Sequence, residues 1–332
     1  MSRFLSLLTR AGLNGFFFLL IVMVVLAWLF PEAGADDNPI PLKAISNIGV
    51  AIIFFFYGLK LNWTGLKAGL GHWRLHLVIQ LTTFLLFPLL ILTLYSIAPD
   101  SEYKYWWIGT FYLAALPSTV SSSVVMVSIA GGNISAAIFN ASVSSLIGIF
   151  ITPLWMSILV DSSTLSVADL SGVIVSLCLQ VLLPVTAGLL LHNILGSFAE
   201  RHKTSLRYFD QAVILLIVFR AFAESFLEDM FTGYSAMELI TLSILMLALF
   251  GIMLLIMKAV SSWMKFAREE QITVIFCGSK KSLVQGAVMG QILFPQANAF
   301  GLILLPLMIY HALQLVAGSI LAQQMAAKRN AA

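Results

Sequence analysis

Ten apolar runs, separated by short polar connections, follow one another along the chain. Each is long enough to cross the ~30 Å hydrocarbon core of a bilayer as a helix, which takes about 20 residues. A β-barrel would instead alternate apolar and polar positions over segments of about 10 residues. The pattern therefore predicts an all-α polytopic membrane protein with ten transmembrane helices. The predicted spans cover residues 13–30, 44–61, 75–97, 105–130, 133–159, 172–195, 209–227, 236–263, 272–293 and 299–323.

Composition supports the membrane class. Of the 332 residues, 60% are hydrophobic and only 10% are charged, whereas a soluble domain carries roughly 25% charged residues. The first apolar run continues to Phe30 with no small-residue cleavage site before Pro31, so we expect it to be a retained span. Cys178 and Cys277 lie inside apolar runs, and we interpret them as packing residues.

The basic residues orient the predicted spans, because cytoplasmic loops carry the excess of Lys and Arg. With the N-terminus inside, 13 of the 18 basic residues fall on the cytoplasmic side and only Lys43 and Lys104 on the other. This segregation predicts cytoplasmic termini. We also expect the location to be a bacterial inner (plasma) membrane. Scattered basic residues favour lipid as the partner and exclude nucleic acid. The cytoplasmic set is Arg3, Arg10, Lys60, Lys67, Arg74, Arg201, Lys203, Arg207, Lys258, Lys265, Arg268, Lys328 and Arg329.

Ten spans divide into two halves of five, residues 1–160 and 161–332. An odd number of spans per half gives the second half the opposite orientation, so related halves would form an inverted repeat. Spans 4 and 9 occupy the same place in their halves, and each is interrupted near its centre. Broken helices at matching repeat positions are how transporters build sites at the middle of the membrane.

The candidate site follows from these two interruptions. Half-helix ends expose amides or carbonyls that can bind ions, and a lysine at the centre of a span costs roughly 2.5 to 3.5 kcal/mol. The alternative for the hydroxyl cluster of span 4 is close helix packing. The predicted helix-breaking residues are Pro117, Gly131, Gly132 and Gly278. The predicted substrate- or ion-binding residues are Ser118, Thr119, Ser121, Ser122, Ser123, Asn140, Gly278, Ser279, Lys280, Lys281, Ser282 and Gln285.

Other polar residues lie within or beside the spans. Arg220 and Glu224 are four apart on span 7, so they share a helix face and can form an ion pair. Asp210 is predicted to be a solvated residue at the start of that span. His311 in span 10 is interpreted mainly as a packing residue, although a histidine there can titrate near neutral pH. His311 and Gln314 correspond loosely in position to the region of Asn140 and Ser144 in span 5.

Several segments carry a resemblance to a known family. The stretch QITVIFCGSKKSLVQG, GHWRLH at 71–76, AGGN at 130–133, ASVSSLIGIF at 141–150 and LPLMIYH at 305–311 resemble the bile acid:sodium symporter superfamily, in particular its sodium-bile-acid-cotransporter-like branch. The resemblance implies two inverted five-helix repeats with crossing discontinuous helices 4 and 9. It also implies a core domain of spans 3–5 and 8–10 and a panel domain of spans 1, 2, 6 and 7.

The resemblance also implies where sodium ligands would lie, and this chain departs from that pattern. The corresponding positions are Thr83, Ala137, Ala141, Phe276, Lys280 and Lys281. We therefore expect no cofactor and no sodium coupling, and hypothesise that Lys280 or Lys281 replaces the sodium ion. In a helical backbone only one of them would face the site, and a buried lysine can carry a proton.

These observations predict a secondary active transporter of a small organic anion that works by alternating access. The alternatives are a non-transporting regulatory membrane protein and a proton-coupled exchanger on the same fold. The spans contain neither paired carboxylates nor a metal-binding cluster, so we do not expect an enzyme.

Overall fold

A computed structural model describes residues 15–35, 38–59, 72–97, 103–159, 178–232, 234–294 and 299–330, and within these ranges the chain is helical with no β-strand. The helices are α1 (Gly15–Leu29), α2 (Leu42–Leu59), α3 (Trp73–Ile97), α4 (Lys104–Ala115), α5 (Ser121–Ala130), α6 (Ile134–Leu159), α7 (Leu183–Leu190), α8 (His192–Arg201), α9 (Lys203–Leu227), α10 (Ala236–Trp263), α11 (Arg268–Ser279), α12 (Leu283–Leu293) and α13 (Phe300–Asn330).

Five of these helices are long and apolar enough to cross a membrane. They are Leu42–Leu59, Trp73–Ile97, Ile134–Ile158, Ala236–Trp263 and Phe300–Lys328. Large apolar side chains point outward on them: Ile244 is 61% exposed and Leu255 68%. An extended apolar outer surface is unfavourable in water and favourable against lipid tails, so the all-helical fold is that of a polytopic membrane protein.

The chain turns sharply where span 6 was predicted to continue to residue 195. Leu179–Leu190 and His192–Arg201 form a pair bent by 97° around Leu191. The second helix, α8, mixes exposed Ile194 and Phe198 with charged residues, a composition typical of a helix that lies along a membrane surface. His192 Nδ1 is 2.7 Å from the carbonyl oxygen of Leu59, which fixes this corner against α2.

Two sets of helices pack mainly among themselves. In one set, α2 packs against α7, and α9 packs against α1 and α2. A glycine crossing holds α2 to α7, since a Cβ on Gly58 would lie 2.1 Å from the oxygen of Val185 and one on Gly188 2.1 Å from that of Phe55. The other set consists of α3 to α6 and α10 to α13, and it contains the two broken helices, α4–α5 and α11–α12. The sets meet where α9 packs against α12 and α13.

Some sequence predictions concern residues outside the described ranges. Arg3, Arg10, Lys60 and Lys67, the first residues of span 6 and the predicted boundary between residues 160 and 161 all lie there. Their predicted topology stays a prediction.

Candidate functional site

Two helices are interrupted near their middle, and the two interruptions contact each other. Irregular backbone from residue 116 to 120 separates α4 from α5, and residues 280–282 separate α11 from α12. Pro117 has no amide proton and so cannot continue the helical hydrogen bonds, while Lys280 is extended at φ −98° and ψ 148°. The Ser282 amide donates to the Pro117 oxygen at 3.0 Å. The interruptions of predicted spans 4 and 9 therefore form one structural unit.

Lys281 lies at the carbonyl end of α4. Its Nζ donates to the oxygens of Ala114 at 2.6 Å, Leu116 at 2.8 Å and Thr83 at 2.9 Å, which uses all three protons of the ammonium. The face of the Phe87 ring lies 4.4 Å from Nζ. A positive charge is favourable at this helix end because its last carbonyls form the negative pole of the helix dipole.

The third carbonyl of this cage comes from a distortion in α3. Residues Thr82–Leu86 form a π turn, a feature that is frequent at functional sites. Thr83 gives its oxygen to Lys281, and the Phe84 oxygen accepts from Trp155 Nε1 at 2.6 Å. The π turn thus directs two carbonyls toward other helices.

Lys280 points away from this cage. Its Nζ donates to the Ser122 oxygen at 3.2 Å and contacts the Met126 sulfur, with the Phe276 ring 5.8 Å away. The prediction that only one lysine faces the site assumed a helical backbone, and that assumption is wrong because the backbone at Lys280 is extended. Successive side chains of an extended chain point to opposite sides, so both lysines reach buried positions.

Helix α13 holds the second interruption in place. The Gln314 amide accepts from the Lys281 amide at 2.8 Å and donates to the Lys281 oxygen at 2.7 Å. Tyr310 OH donates to the Ser279 oxygen at 2.6 Å, and His311 Nδ1 is 2.9 Å from Gln314 Nε2. From the sequence, His311 was predicted to be a packing residue, Gln314 had no predicted partner, and Tyr310 was not singled out. The available signal was the spacing of Tyr310 and Gln314, four apart on one face of an apolar span.

The predicted hydroxyl cluster divides between two tasks. Ser118 Oγ donates to the Cys277 oxygen at 2.6 Å and Ser123 Oγ to the Phe276 oxygen at 3.3 Å, so these two satisfy the carbonyl end of α11. Thr119 and Ser122 share a hydrogen bond at 3.3 Å and line a cavity. Ser121 is the first residue of α5.

The remaining predicted serines at the second interruption form side-chain hydrogen bonds with nearby residues of the same segment. Ser279 Oγ donates to the Ile275 oxygen at 2.7 Å within α11, and Ser282 caps α12 by accepting from the Gln285 amide at 3.3 Å. Gly278 was predicted to break the helix, but it lies inside α11. A Cβ there would be 2.2 Å from Met257 Sδ, so the glycine allows Met257 of α10 to pack close against α11.

Two further glycines and one asparagine lie away from the interruptions. Gly131 has φ 80° and ends α5, and Gly132 packs against Ile272, so both belong to the turn between α5 and α6. Asn140 Nδ2 is 2.7 Å from His76 Nδ1. Its carbonyl and side-chain oxygens are 3.2 and 3.3 Å from Gln80 Nε2, so the structure places Asn140 in the contact between α3 and α6.

A cavity of about 1310 Å³ lies between the two sets of helices. The first residues of both half-helices border it, with Thr119 and Ser122 at α5 and Ser282 and Gln285 at α12. Gln285 is only 2% exposed, and its Oε1 has no hydrogen-bond partner among the described residues. Apolar side chains such as Leu20, Val125, Ile138 and Ile149 line much of the remaining wall.

The opposite wall of this cavity belongs to α2 and α9. Tyr57 and Asp210 line it, so Asp210 faces the cavity and is not the solvated helix-start residue that was predicted. Exposed Glu200, Lys203 and Arg207 lie at one end. Among the described residues no group of three His, Cys, Asp or Glu side chains could hold a metal ion.

Comparison with known proteins places the chain in a family. Residues 14–327 match the model of the SBF-like CPA transporter family. An uncharacterized protein of Pseudomonas aeruginosa is 37% identical over 96% of this chain and 94% of its own length. The Escherichia coli protein named "Putative symporter YfeH" is 35% identical over 94% of this chain and 92% of its own length. Sodium/bile acid cotransporter 7 of Mus musculus is 30% identical over 96% of this chain and 94% of its own length. This chain is an integral membrane protein that belongs to the SBF-like CPA transporter family.

Proposed function

We propose that this protein is a secondary transporter of a small organic anion and that it works by alternating access. Its ten spans would form two inverted repeats, residues 1–160 and 161–332. The core domain would comprise α3 to α6 and α10 to α13, and the panel domain α1, α2, α7 and α9. The packing of the helices in two sets that meet at α9, α12 and α13 supports this division.

One observation supports an anionic substrate. The N-terminal ends of both half-helices, α5 and α12, border the same large cavity. Helix N-termini are positive and present free amides, so two of them directed at one space favour an anion. The Oε1 atom of buried Gln285 has no hydrogen-bond partner in the described part of the chain, so it can accept a hydrogen bond from a hydroxyl of the substrate. The apolar wall suits an organic anion better than an inorganic one.

We further propose that Lys281 replaces a bound cation. Three carbonyl oxygens surround its Nζ at 2.6 to 2.9 Å, an arrangement that carbonyl ends of half-helices otherwise offer to an ion. Phe276, Ala137 and Ala141 are buried apolar residues with no side-chain oxygen for sodium. Transport would then need no sodium.

Lys280 supports a proton as the coupling ion. In the described part of the chain its hydrogen-bond acceptors are one carbonyl and one thioether, and a thioether is a weak acceptor. Ser122 and Met126, which contact its Nζ, also line the large cavity. A small movement would expose the ammonium to water, so Lys280 can take up and release a proton during the cycle.

The test is uptake of labelled organic anions into proteoliposomes, measured with a sodium gradient, with a pH gradient and with neither. We expect uptake that responds to pH and is indifferent to sodium. Lys280→Gln should abolish the response to pH, and Lys281→Gln should abolish uptake. Lys258→Gln, at an exposed site on α10, is the matched control and should transport normally.

Three results would count against the proposal. Full activity in both Lys280→Gln and Lys281→Gln would remove the role of the lysines. A strict sodium requirement would contradict the replacement of the cation. No uptake of any anion under any gradient would favour the regulatory alternative.

A further inference from the structure

A second, much smaller cavity lies at the interface between the two sets of helices. Its volume is about 70 Å³, against about 1310 Å³ for the large one. Polar and charged residues surround it, among them Lys43 and Asn47 of α2, Arg220 and Glu224 of α9, and Gln291 of α12. The interface is therefore wide at one end of α9 and nearly closed at the other.

A glutamine bridge closes the narrow end. Gln291 Nε2 donates to Ser46 Oγ and to Asn47 Oδ1, both at 2.6 Å. Both protons of this amide nitrogen are thereby used. Gln291 lies near the C-terminal end of α12, whereas Ser46 and Asn47 lie in the first turns of α2. The bridge thus joins the set of helices around the interruptions to the other set.

A backbone contact closes the same end beside the bridge. The amide of Gly301, at the start of α13, donates to Ser225 Oγ of α9 at 3.0 Å. A Cβ on Gly301 would lie 2.8 Å from Ser225 Oγ and 3.0 Å from the Ala221 oxygen. A glycine therefore favours this approach, and a large side chain at this position would push α13 away from α9.

We propose that the Gln291 bridge and the Gly301–Ser225 contact form a seal that shuts one end of the pathway and opens when the core domain moves. The seal rests on the proposed alternating-access function. It also gives a task to the charged residues of span 7. Arg220 is only 6% exposed, and a buried guanidinium gains hydration when water enters. Parting the seal therefore hydrates charged side chains that line the small cavity.

The test is cysteine accessibility in lipid nanodiscs, where both ends of the pathway reach the reagent. The background is the Cys178→Ala, Cys277→Ala protein. An Ile217→Cys reporter lines the small cavity, and a Ser142→Cys reporter lines the large one. A hydrophilic maleimide then reports how often each end is open. The two reporters are placed in separate proteins.

Gln291→Leu keeps the size of the side chain and removes both hydrogen bonds. We expect it to raise the labelling rate of Ile217→Cys by about tenfold, the effect of losing hydrogen bonds of ordinary net strength. Labelling of Ser142→Cys should fall, because opening one end closes the other. Gly301→Val, which acts by sterics alone, should do the same. Gln291→Asn, with a shorter side chain, replaces Gln291→Leu if that protein does not fold.

The control is Gln271→Leu, a matched change on α11 where the amide donates to the Phe266 oxygen at 2.9 Å. It should leave both rates unchanged. Unchanged labelling of Ile217→Cys in both folded seal variants would overturn the proposal, as would an equal rise in Gln271→Leu or a rise at both reporters. The measurement needs no substrate, so the seal can stand even if anion uptake fails.

Discussion

Removal of the Lys281 ammonium is the sharpest test of the carbonyl cage. Lys281→Met keeps a long unbranched side chain but leaves the oxygens of Thr83, Ala114 and Leu116 without their donor. A buried acceptor left unpaired costs about 1 to 3 kcal/mol, so three unpaired carbonyl oxygens lower the free energy of unfolding by roughly 3 to 9 kcal/mol. The variant also escapes the cost of burying a charge, which is several kcal/mol. The two effects oppose each other, and we expect the lost hydrogen bonds to leave a net loss on the order of a few kcal/mol in the free energy of unfolding.

The space that the ammonium leaves among the three carbonyl oxygens should bind a monovalent cation once the flexible methionine side chain turns aside. A ligand that binds only the folded state at 100 times its Kd adds about 2.7 kcal/mol, which would restore much of the loss. The assay is thermal unfolding in detergent, followed by tryptophan fluorescence, in sodium chloride and in choline chloride at equal ionic strength. We expect the Tm of Lys281→Met to be higher in sodium chloride and the Tm of the unaltered protein to be the same in both salts.

Lys280→Met is the matched control for this experiment. Its ammonium contacts one carbonyl and one sulfur, so the loss of stability should be smaller and independent of the cation. The reasoning fails if sodium stabilises the unaltered protein. It also fails if Lys281→Met is as stable as the unaltered protein in choline chloride.

Three further substitutions test individual contacts of the fold. Gln314→Leu should lower the free energy of unfolding by about 2 to 4 kcal/mol, because the backbone N–H and the carbonyl oxygen of Lys281 both lose their partners. Denaturation in urea with mild detergent measures this free energy. Gly188→Ala should reduce the yield of folded protein on size exclusion, because its Cβ would lie 2.1 Å from the oxygen of Phe55. Ser235→Ala removes the N-cap of α10 and should lower stability by about 1 kcal/mol in a thermal unfolding assay.

The interruptions of spans 4 and 9 could be predicted because their causes are local. Pro117 lacks an amide proton, and two lysines cannot remain in lipid, so both segments had to be irregular and buried in protein. The glycines were harder to interpret. Gly278 resembles a helix breaker in the sequence, but its task is to make room for Met257, a residue 21 positions away that no local pattern connects to it.

The roles of individual polar residues depended on distant partners. Gln314 had no predicted partner in span 10, yet it pairs with both the backbone N–H and the carbonyl oxygen of Lys281. Asp210 looked like a solvated helix start, yet it lines the large cavity. In both cases the sequence specifies the residue type and the helix but not the neighbour across the interface.

The sequence by itself determined the class of this protein and the place of its two helix interruptions, because hydrophobic run length, charge asymmetry and helix-breaking residues are properties of short segments. The tertiary structure alone decided that Lys281 enters a cage of carbonyls while Lys280 turns toward the cavity wall. The physical reason is that a buried ammonium needs hydrogen-bond acceptors, and other helices supply the acceptors for both lysines. Those acceptors, in α3, α4 and α5, are brought together only when the two interruptions pack against each other.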